Sequence, residues 1–379
     1  LNLKIKQFKE QFFSSPNLVH LNNAGLAPIS LRAKETIEYW ARRFFEEGFA
    51  TDHDYMQSVL QTRISLSRLI GCEWDEIAFF QSTAGGINQV AMQLGLKPGD
   101  EVLMWDQEYS SHLYPWQQAC LQSGAKMQLV ESDPFTLETP TEKYLQAIND
   151  KTRVVAFSWM QFQSGSQMDY RRVIEVAKQK GIFVFVDVMQ GLGILPCDLW
   201  TLGVDAVAGG SHKWLVSPVG VGYLAIRKKL AMSMKPQTYG SSTFGTCDDP
   251  SNFECVPKID ATKFEAGSKQ VLEITALGSS VDLILDSGVE NLLNESMRLK
   301  NLLIQQLETL GFSYLKNQQS LNPIVNFQSH HLDFLIDQLK RHHILHAKRG
   351  PGVRIAFHAF NTDQDLDKLV EVLKKVSEK

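Results

Sequence analysis

The chain has 379 residues, 44% hydrophobic and 21% charged, an ordinary composition for a folded protein and enough length for two domains or one large domain with an appendage. Its net charge of −4 gives no electrostatic reason to expect nucleic acid or anionic membrane as a partner, and no apolar run reaches the roughly 18 residues needed to span a bilayer. The cysteines, Cys72, Cys120, Cys197, Cys247 and Cys255, are odd in number and include no C-x-x-C, which argues against a disulfide framework or structural zinc and for a reducing, cytoplasmic compartment.

The opening LNLKIKQFKEQFF lacks the apolar core and cleavage site of a signal peptide and reads as an amphipathic helix. HLNNAGLAPIS (20–30) supplies turn formers, with Pro28 and Ser30 ahead of a helix over 31–47. A second helix covers about 54–70. IAFFQSTAGGINQVAMQL then reads as a strand (77–81), a turn (82–86) and a helix beginning at Ile87. Small and hydroxyl residues at a helix N-terminus leave free N–H groups that suit a phosphate. The glycines match neither a Walker motif nor a dinucleotide fingerprint, and a tight helix start packed through glycine is the alternative.

After a Pro98-Gly99-Asp100 turn come the strand EVLMW and a loop, QEYSSHLYPW, in which Tyr109 and Tyr114 flank Ser110, Ser111 and His112. Such aromatics either pack the core or cover the face of a flat ring ligand. A strand at 126–130, a helix at 141–148, a strand at 152–160 ending in Gln161, Gln163 and Ser164, and a helix at 169–180 follow. The alternation predicts parallel βαβ units.

The apolar run IFVFV then ends in Asp187, and a second run, 204–208, ends in small residues followed by Lys213. Both are short and Val- or Phe-rich, as strands buried on two faces are. Each delivers its charged residue to the strand ends where ligands bind in open α/β sheets. YLAIR closes the sheet, and an irregular stretch over 236–262 marks a functional or interface loop. FEAGSKQ leads to helices at 272–286 and 289–310. A strand at 324–328, a helix at 332–342, a strand at 353–357 and an amphipathic helix at 363–376 complete an α+β unit. His330, His331, His342, His343 and His346 complete no pattern with Cys or carboxylate that would hold a metal.

A desolvated lysine at a strand end is a device for capturing a carbonyl cofactor. An aspartate keeps a pyridine nitrogen protonated so that the ring accepts electrons. With a phosphate turn, a covering aromatic and a donor near the ring oxygen, these features fit pyridoxal 5′-phosphate (PLP). A non-catalytic binding protein that kept the fold, and a nucleotide-binding protein using STAGG, explain Asp187 and Lys213 less well.

The pattern D-x-x-Q-x-x-G (Asp187, Gln190, Gly193), S-H-K-W at 211–214 with P-x-G beyond, HLNNAGLAP, STAGGIN, QEYSSHLYPW, FEAGS and VRIAFHAFNT together resemble the class V aminotransferase family of fold-type I PLP enzymes. The resemblance is to its cysteine desulfurase, cystine lyase and isopenicillin-N epimerase-like branch, and it runs over nearly the whole chain. It implies an α/β fold with a large PLP-binding domain (21–270) around a mostly parallel seven-stranded sheet. A smaller α+β C-terminal domain (271–379) and an N-terminal helical segment (1–20) packing with it complete the expected organisation.

By the same resemblance Lys213 is the Schiff-base lysine and the proton shuttle at the α-carbon, Asp187 pairs with the ring nitrogen, and Gln190 bonds the ring oxygen. Tyr109 takes the stacking place, often His or Phe in the family. Thr83 and Ala84 line the phosphate cup, Ala84 through its backbone N–H. Ser211 and His212 lie near the phosphate, with Gly210 standing where the family's Ser-x-His-Lys has its serine. Ser268 reaches the cofactor phosphate of a partner subunit, which implies a homodimer with composite active sites. Arg354 pairs with the carboxylate of a small amino-acid substrate, a bidentate task suited to guanidinium, and Gln161 gives a polar contact at that carboxylate or at the ring oxygen. Desulfurases of this family carry a nucleophilic cysteine on the loop before the arginine. The corresponding ILHAKRGPGVR contains none. Transamination, epimerisation or C–S/β-elimination lyase chemistry is therefore expected ahead of desulfuration, which needs a thiolate. A catalytically silent PLP-binding homologue is the remaining alternative.

Overall fold

In this computed structural model, residues 2–12, 17–245, 255–316 and 321–378 are described. The chain starts with helix α1 (Leu3–Lys9), strand β1 (Val19–His20) and two long helices, α2 (Leu31–Glu47) and α3 (Asp52–Ile70). Strands and helices then alternate: β2 (Ile77–Phe80), α4 (Thr83–Gln93), β3 (Glu101–Trp105), α5 (Ser110–Ser123), β4 (Lys126–Val130), α6 (Thr141–Ala147), β5 (Thr152–Ser158), α7 (Tyr170–Gln179) and β6 (Phe183–Asp187). β7 (Ala206–Gly210), β8 (Gly222–Ile226) and α8 (Lys228–Ser233) follow, then α9 (Val271–Ser287) and α10 (Val289–Thr309). The last part holds β9 (Ser313–Tyr314), β10 (Ile324–Gln328), α11 (Leu332–Arg341), β11 (Ile344–Leu345), β12 (Ala347–Arg349), β13 (Gly352–Ala356) and α12 (Asp363–Ser377).

The seven-stranded sheet has the order β2-β8-β7-β6-β5-β3-β4. Its pairs from β7 through β4 are parallel, and β8 runs antiparallel to both β7 and β2. This is the α/β class and mostly parallel sheet expected from the alternation. The apolar runs are buried on both faces because successive strand residues point to opposite sides. Val155, Phe157, Val184, Val186 and Val207 join one core cluster, and Val154, Ala156, Phe183, Phe185, Ala206 and Ala208 the other. A third cluster unites Val19 and Leu21 with residues from Leu299 to Val376 around the four-stranded sheet β12-β13-β10-β9. α9 packs on α2 and α3, and Ile274, Leu277 and Val281 belong to the first cluster.

Two segments differ from the sequence expectation. STAGG is the first turn of α4 itself, capped by the Ser82 side chain, which accepts from the Gly85 N–H. Gly85 and Gly86 sit inside the helix because a Cβ there would press on Phe80 and Leu224 at 3.1 and 3.2 Å. QEYSSHLYPW is likewise mostly helix, with Pro115 inside α5. Burial of His112, Pro115 and Trp116 against the sheet outweighs the one backbone hydrogen bond that proline forfeits. Cys247 lies outside the described residues. Cys255 is disulfide-bonded, which departs from the expectation of no disulfide. Among the described residues no helix is long and apolar enough to cross a membrane.

The segment after the irregular stretch is tied to the sheet by one buried carboxylate. Glu265 accepts from Arg63 at 2.7 and 3.1 Å and from the Phe79 N–H at 2.8 Å, and Lys269 lies 2.5 Å away. Burial would push the Glu265 carboxyl up, but Arg63 and Lys269 outweigh it and hold it below the usual range. Glu265→Ala strands Arg63, so about 3–5 kcal/mol of stability should be lost at pH 7, read by urea unfolding of the cofactor-free protein. A carboxyl held low stabilises above the ordinary glutamate value of about 4.3 and ceases to do so as pH falls below it. The difference between wild type and variant should therefore shrink as the titration is repeated toward pH 3.

Candidate active site

The strand ends converge on one cavity of about 350 Å³, the location expected at the carboxyl ends of parallel strands. β6 delivers Asp187, β7 leads through Ser211 and His212 to Lys213, and β2 leads into the first turn of α4. Thr83, Ala84, Tyr109, Asp187, Gln190, His212, Lys213 and Arg354 all line the cavity. Among the expected residues, Gln161, Ser211 and Ser268 do not line it.

The first turn of α4 approaches β8 so closely that a Cβ on Gly222 would lie 2.1 Å from the Ser82 carbonyl carbon. Only glycine permits this contact, and it sets the N-terminus of α4, with its unpaired N–H groups, at the cavity wall. His212 is also at the wall. Burial, and then the neighbouring Lys213 charge, lower it to about 4, so it is neutral at pH 7.

Asp187 is buried and accepts from the Met189 N–H at 2.8 Å. Burial raises its carboxyl pKa, opposed first by the charge of His112. Lys213 lies with Nζ 5.6 Å from the centre of the Tyr109 ring. Burial lowers its amine to about 8, with Asp187 opposing the shift and Arg354 and Arg349 adding to it. The two charges share the cavity, yet among the described residues Lys213 donates no hydrogen bond and forms no ion pair. Gln190 spends its amide on the scaffold, donating to the Ala24 carbonyl at 3.0 Å and accepting from the Trp214 indole at 2.9 Å.

Arg354 rises from β13, where β10 and β12 flank it on either side. It is 1% exposed, donates to the Phe162 carbonyl at 2.6 Å and to Asn22 at 2.8 Å, and leaves Nε buried without a partner. Burial, then Arg349, lowers it to about 9. Ser211 is buried with its hydroxyl donating to the Pro218 carbonyl. Gln161 is buried behind the wall, donating to Glu108 at 2.9 Å. Ser268 is exposed.

The sequence reading passed over Glu108. Its buried carboxylate accepts from the Ser158 N–H at 2.9 Å, from the Ser158 hydroxyl and from Gln161, and meets His112 Nδ1 at 3.0 Å. Burial works against its charge, but His112 and these donors hold the carboxyl below its usual range. The cluster pins the residue next to Tyr109 onto the end of β5. Its signal in the sequence is Glu and His four apart, the spacing of neighbours on a helix, in a segment that Pro115 makes look like a loop. Ser158, Phe162 and Arg349, which also line the cavity, were missed as well.

The described free thiols stand elsewhere. Cys72, Cys120 and Cys197 are absent from the cavity wall, and burial raises Cys120 to about 11 and Cys197 to about 12. Within ILHAKRGPGVR, Ile344 and Leu345 form β11, paired with β1, and the residues from Ala347 onward form the tight β12–β13 hairpin, with Gly350 at φ +51°. Among the described residues no group of three or more His, Cys, Asp or Glu is placed to hold a metal ion.

The fold recurs in solved structures. The cysteine desulfurase CsdA of Escherichia coli superposes with a TM-score of 0.87 at 23% identity, covering 99% of this chain and 98% of that one. A complex of the cystine C-S lyase C-DES with its reaction product cysteine persulfide gives 0.87 at 21%, covering 95% and 98%. In sequence, an uncharacterised aminotransferase of Bacillus subtilis, YcbU, is 26% identical over 305 residues, 80% of each chain. A cysteine desulfurase of Escherichia coli O157:H7 is 26% identical over 323 residues, 80% of this chain and 78% of its own. The family model for class-V aminotransferases matches residues 35–369, and with that match over most of its length the chain belongs to the class-V aminotransferase family.

Proposed function

We propose that this protein holds PLP in the cavity and acts at the α-carbon of an amino-acid substrate, by transamination or by β-elimination. Class V is a family of PLP-dependent enzymes, and this chain is one of them. The observation that carries the reading is that Lys213, Asp187 and Arg354 open into one cavity while the amine of Lys213 remains without an ion-pair partner among the described residues. The residues present fit the cofactor. A low-pKa amine suits its carbonyl, a buried carboxylate suits its ring nitrogen, and the N-terminus of α4 suits its phosphate.

PLP, when bound, supplies a carbonyl that takes up the substrate amine and a ring that accepts electrons from the α-carbon. Lys213, with its amine near 8, is the base and acid that moves the proton at that carbon. Asp187 would hold a proton on the ring nitrogen, Tyr109 would cover the ring, and Thr83, Ala84 and neutral His212 would receive the phosphate through N–H groups. Arg354 holds the α-carboxylate with its unpartnered Nε and the N–H bonds that its Nη groups do not give to Phe162 and Asn22. Gln190 steadies the Asp187 side of the site through Ala24 and Trp214. Exposed Ser268 is read as a contribution to the phosphate site of a second subunit, so that the working form is a homodimer, and the compartment is read as cytoplasmic. Desulfuration through a protein thiol is disfavoured by the hairpin at 347–356, which carries no cysteine.

Lys213→Ala is expected to abolish the visible absorbance of covalently held PLP, and a band that persists in the variant would contradict the assignment. Capture of PLP by the cofactor-free protein needs the unprotonated amine. Its rate should rise with pH through about 8 and then level off, whereas a rate still climbing toward the ordinary lysine value of 10.5 would show an amine that is not desolvated. With L-cysteine, mass spectrometry should find no persulfide on the protein while keto acid accumulates. A trapped protein persulfide would overturn the preference against desulfuration.

A further inference from the structure

Two guanidinium groups open into the cavity, and binding one α-carboxylate uses only one of them. Arg349 and Arg354 lie on β12 and β13, paired antiparallel with Arg349 opposite Gly352 and Arg354 opposite Ala347. Cross-strand partners share a face, as do residues two apart on one strand, so both arginines leave the hairpin on the same face, on a diagonal of about 7–8 Å.

They are held differently. Both Nη groups of Arg354 are engaged, by Phe162 and Asn22. Arg349 places Cζ 5.9 Å from the centre of the Phe162 ring, donates from Nη1 to the Lys348 carbonyl beside it, and leaves Nε without a partner. Among the described residues no carboxylate pairs with either arginine. Aromatic rings order the wall between Lys213 and Arg349. Nζ of Lys213 lies over Tyr109, the Tyr109 ring meets Phe162 edge-on at 5.1 Å, and Arg349 sits over Phe162. Lys213 and Arg349 thus sit on the two rings of one aromatic pair, and a substrate whose α-carbon is at the amine would extend its side chain along that pair toward Arg349.

The cavity wall presents three cations, Lys213, Arg349 and Arg354, and the carboxylate of Asp187. With the cofactor's ring nitrogen assigned to Asp187, its phosphate to the N-terminus of α4 and the α-carboxylate to Arg354, an amino acid with a neutral side chain leaves Arg349 without an assigned counter-charge in a partly desolvated site. We propose that Arg349 is a specificity residue that receives a second anionic group, a carboxylate or an equivalent sulfur oxyanion, at the end of the substrate's side chain. The inference rests on the reading of the cavity as an amino-acid site and names the class of amino acid it takes.

The test is titration of the PLP-loaded enzyme with aspartate, glutamate and cysteine sulfinate against asparagine, glutamine and alanine, following the spectrum of the bound cofactor. Wild type is expected to bind the acidic set at least about tenfold more tightly than the amides, because a guanidinium left unpaired penalises the neutral isostere. Arg349→Gln should bring that ratio near one and weaken alanine no more than it weakens the amides, and Arg349→Lys should restore part of the preference. The arms within the acidic set separate carboxylate from sulfinate. Equal weakening of all six ligands by Arg349→Gln would show that Arg349 shares the α-carboxylate, and would overturn the proposal. A wild-type ratio near one, or a ratio that survives in the variant, would do the same. If no amino acid perturbs the wild-type spectrum, the amino-acid reading itself fails and takes this inference with it.

Discussion

The site depends on keeping two opposite charges apart inside one protein. Asp187 and Lys213 arrive from neighbouring parallel strands and share a cavity. The carboxylate takes a backbone N–H, and the amine lies over an aromatic ring. Burial pushes the carboxyl up and the amine down, so each is strained toward neutrality. A collapsed ion pair would relieve that strain. Among the described residues the two form no ion pair, with Asp187 at the end of β6 and Lys213 three residues past β7. A ligand with a cationic ring nitrogen at one end and a carbonyl at the other satisfies both groups at once. The free energy withheld from the folded protein is thereby available for binding.

The remaining features serve that separation. Gly222 lets α4 reach the cavity, so a phosphate can be held by backbone rather than by a further lysine that would compete with Lys213. Glu108 gathers Ser158, Gln161 and His112 into a closed polar cluster and fixes the turn that carries Tyr109. Glu265 does comparable work for the segment bearing Ser268, through Arg63 and Lys269. In each case a buried carboxylate with several donors fixes the segment next to it.

Much of this was legible because it is written in local pattern. IFVFV ending in Asp187 shows its strand through continuous apolarity and its role through the single charge, and Lys213 stands out in the same way. What escaped notice depends on tertiary contact. STAGG reads as a turn because glycine disfavours helix, until the close approach of Phe80 and Leu224 shows how little room a side chain has there. Pro115 suggests a loop, yet the burial of Trp116 draws the segment into α5. Arg349 resembles any charged residue near a turn, and only the register of β12 against β13 sets it beside Arg354. Ser211 shows the converse, since the chain places it next to the site residues but its hydroxyl bonds to Pro218.

One comparison isolates geometry from titration. Lys300 is also buried, with an amine lowered by burial to about 8, but it donates to the Asn322 carbonyl at 2.6 Å and does not line the cavity. The decisive measurement is borohydride reduction of the PLP-loaded protein followed by peptide mapping of the labelled lysine. The account predicts label on Lys213 alone. Label on Lys300 or another lysine, or none on Lys213, would contradict it.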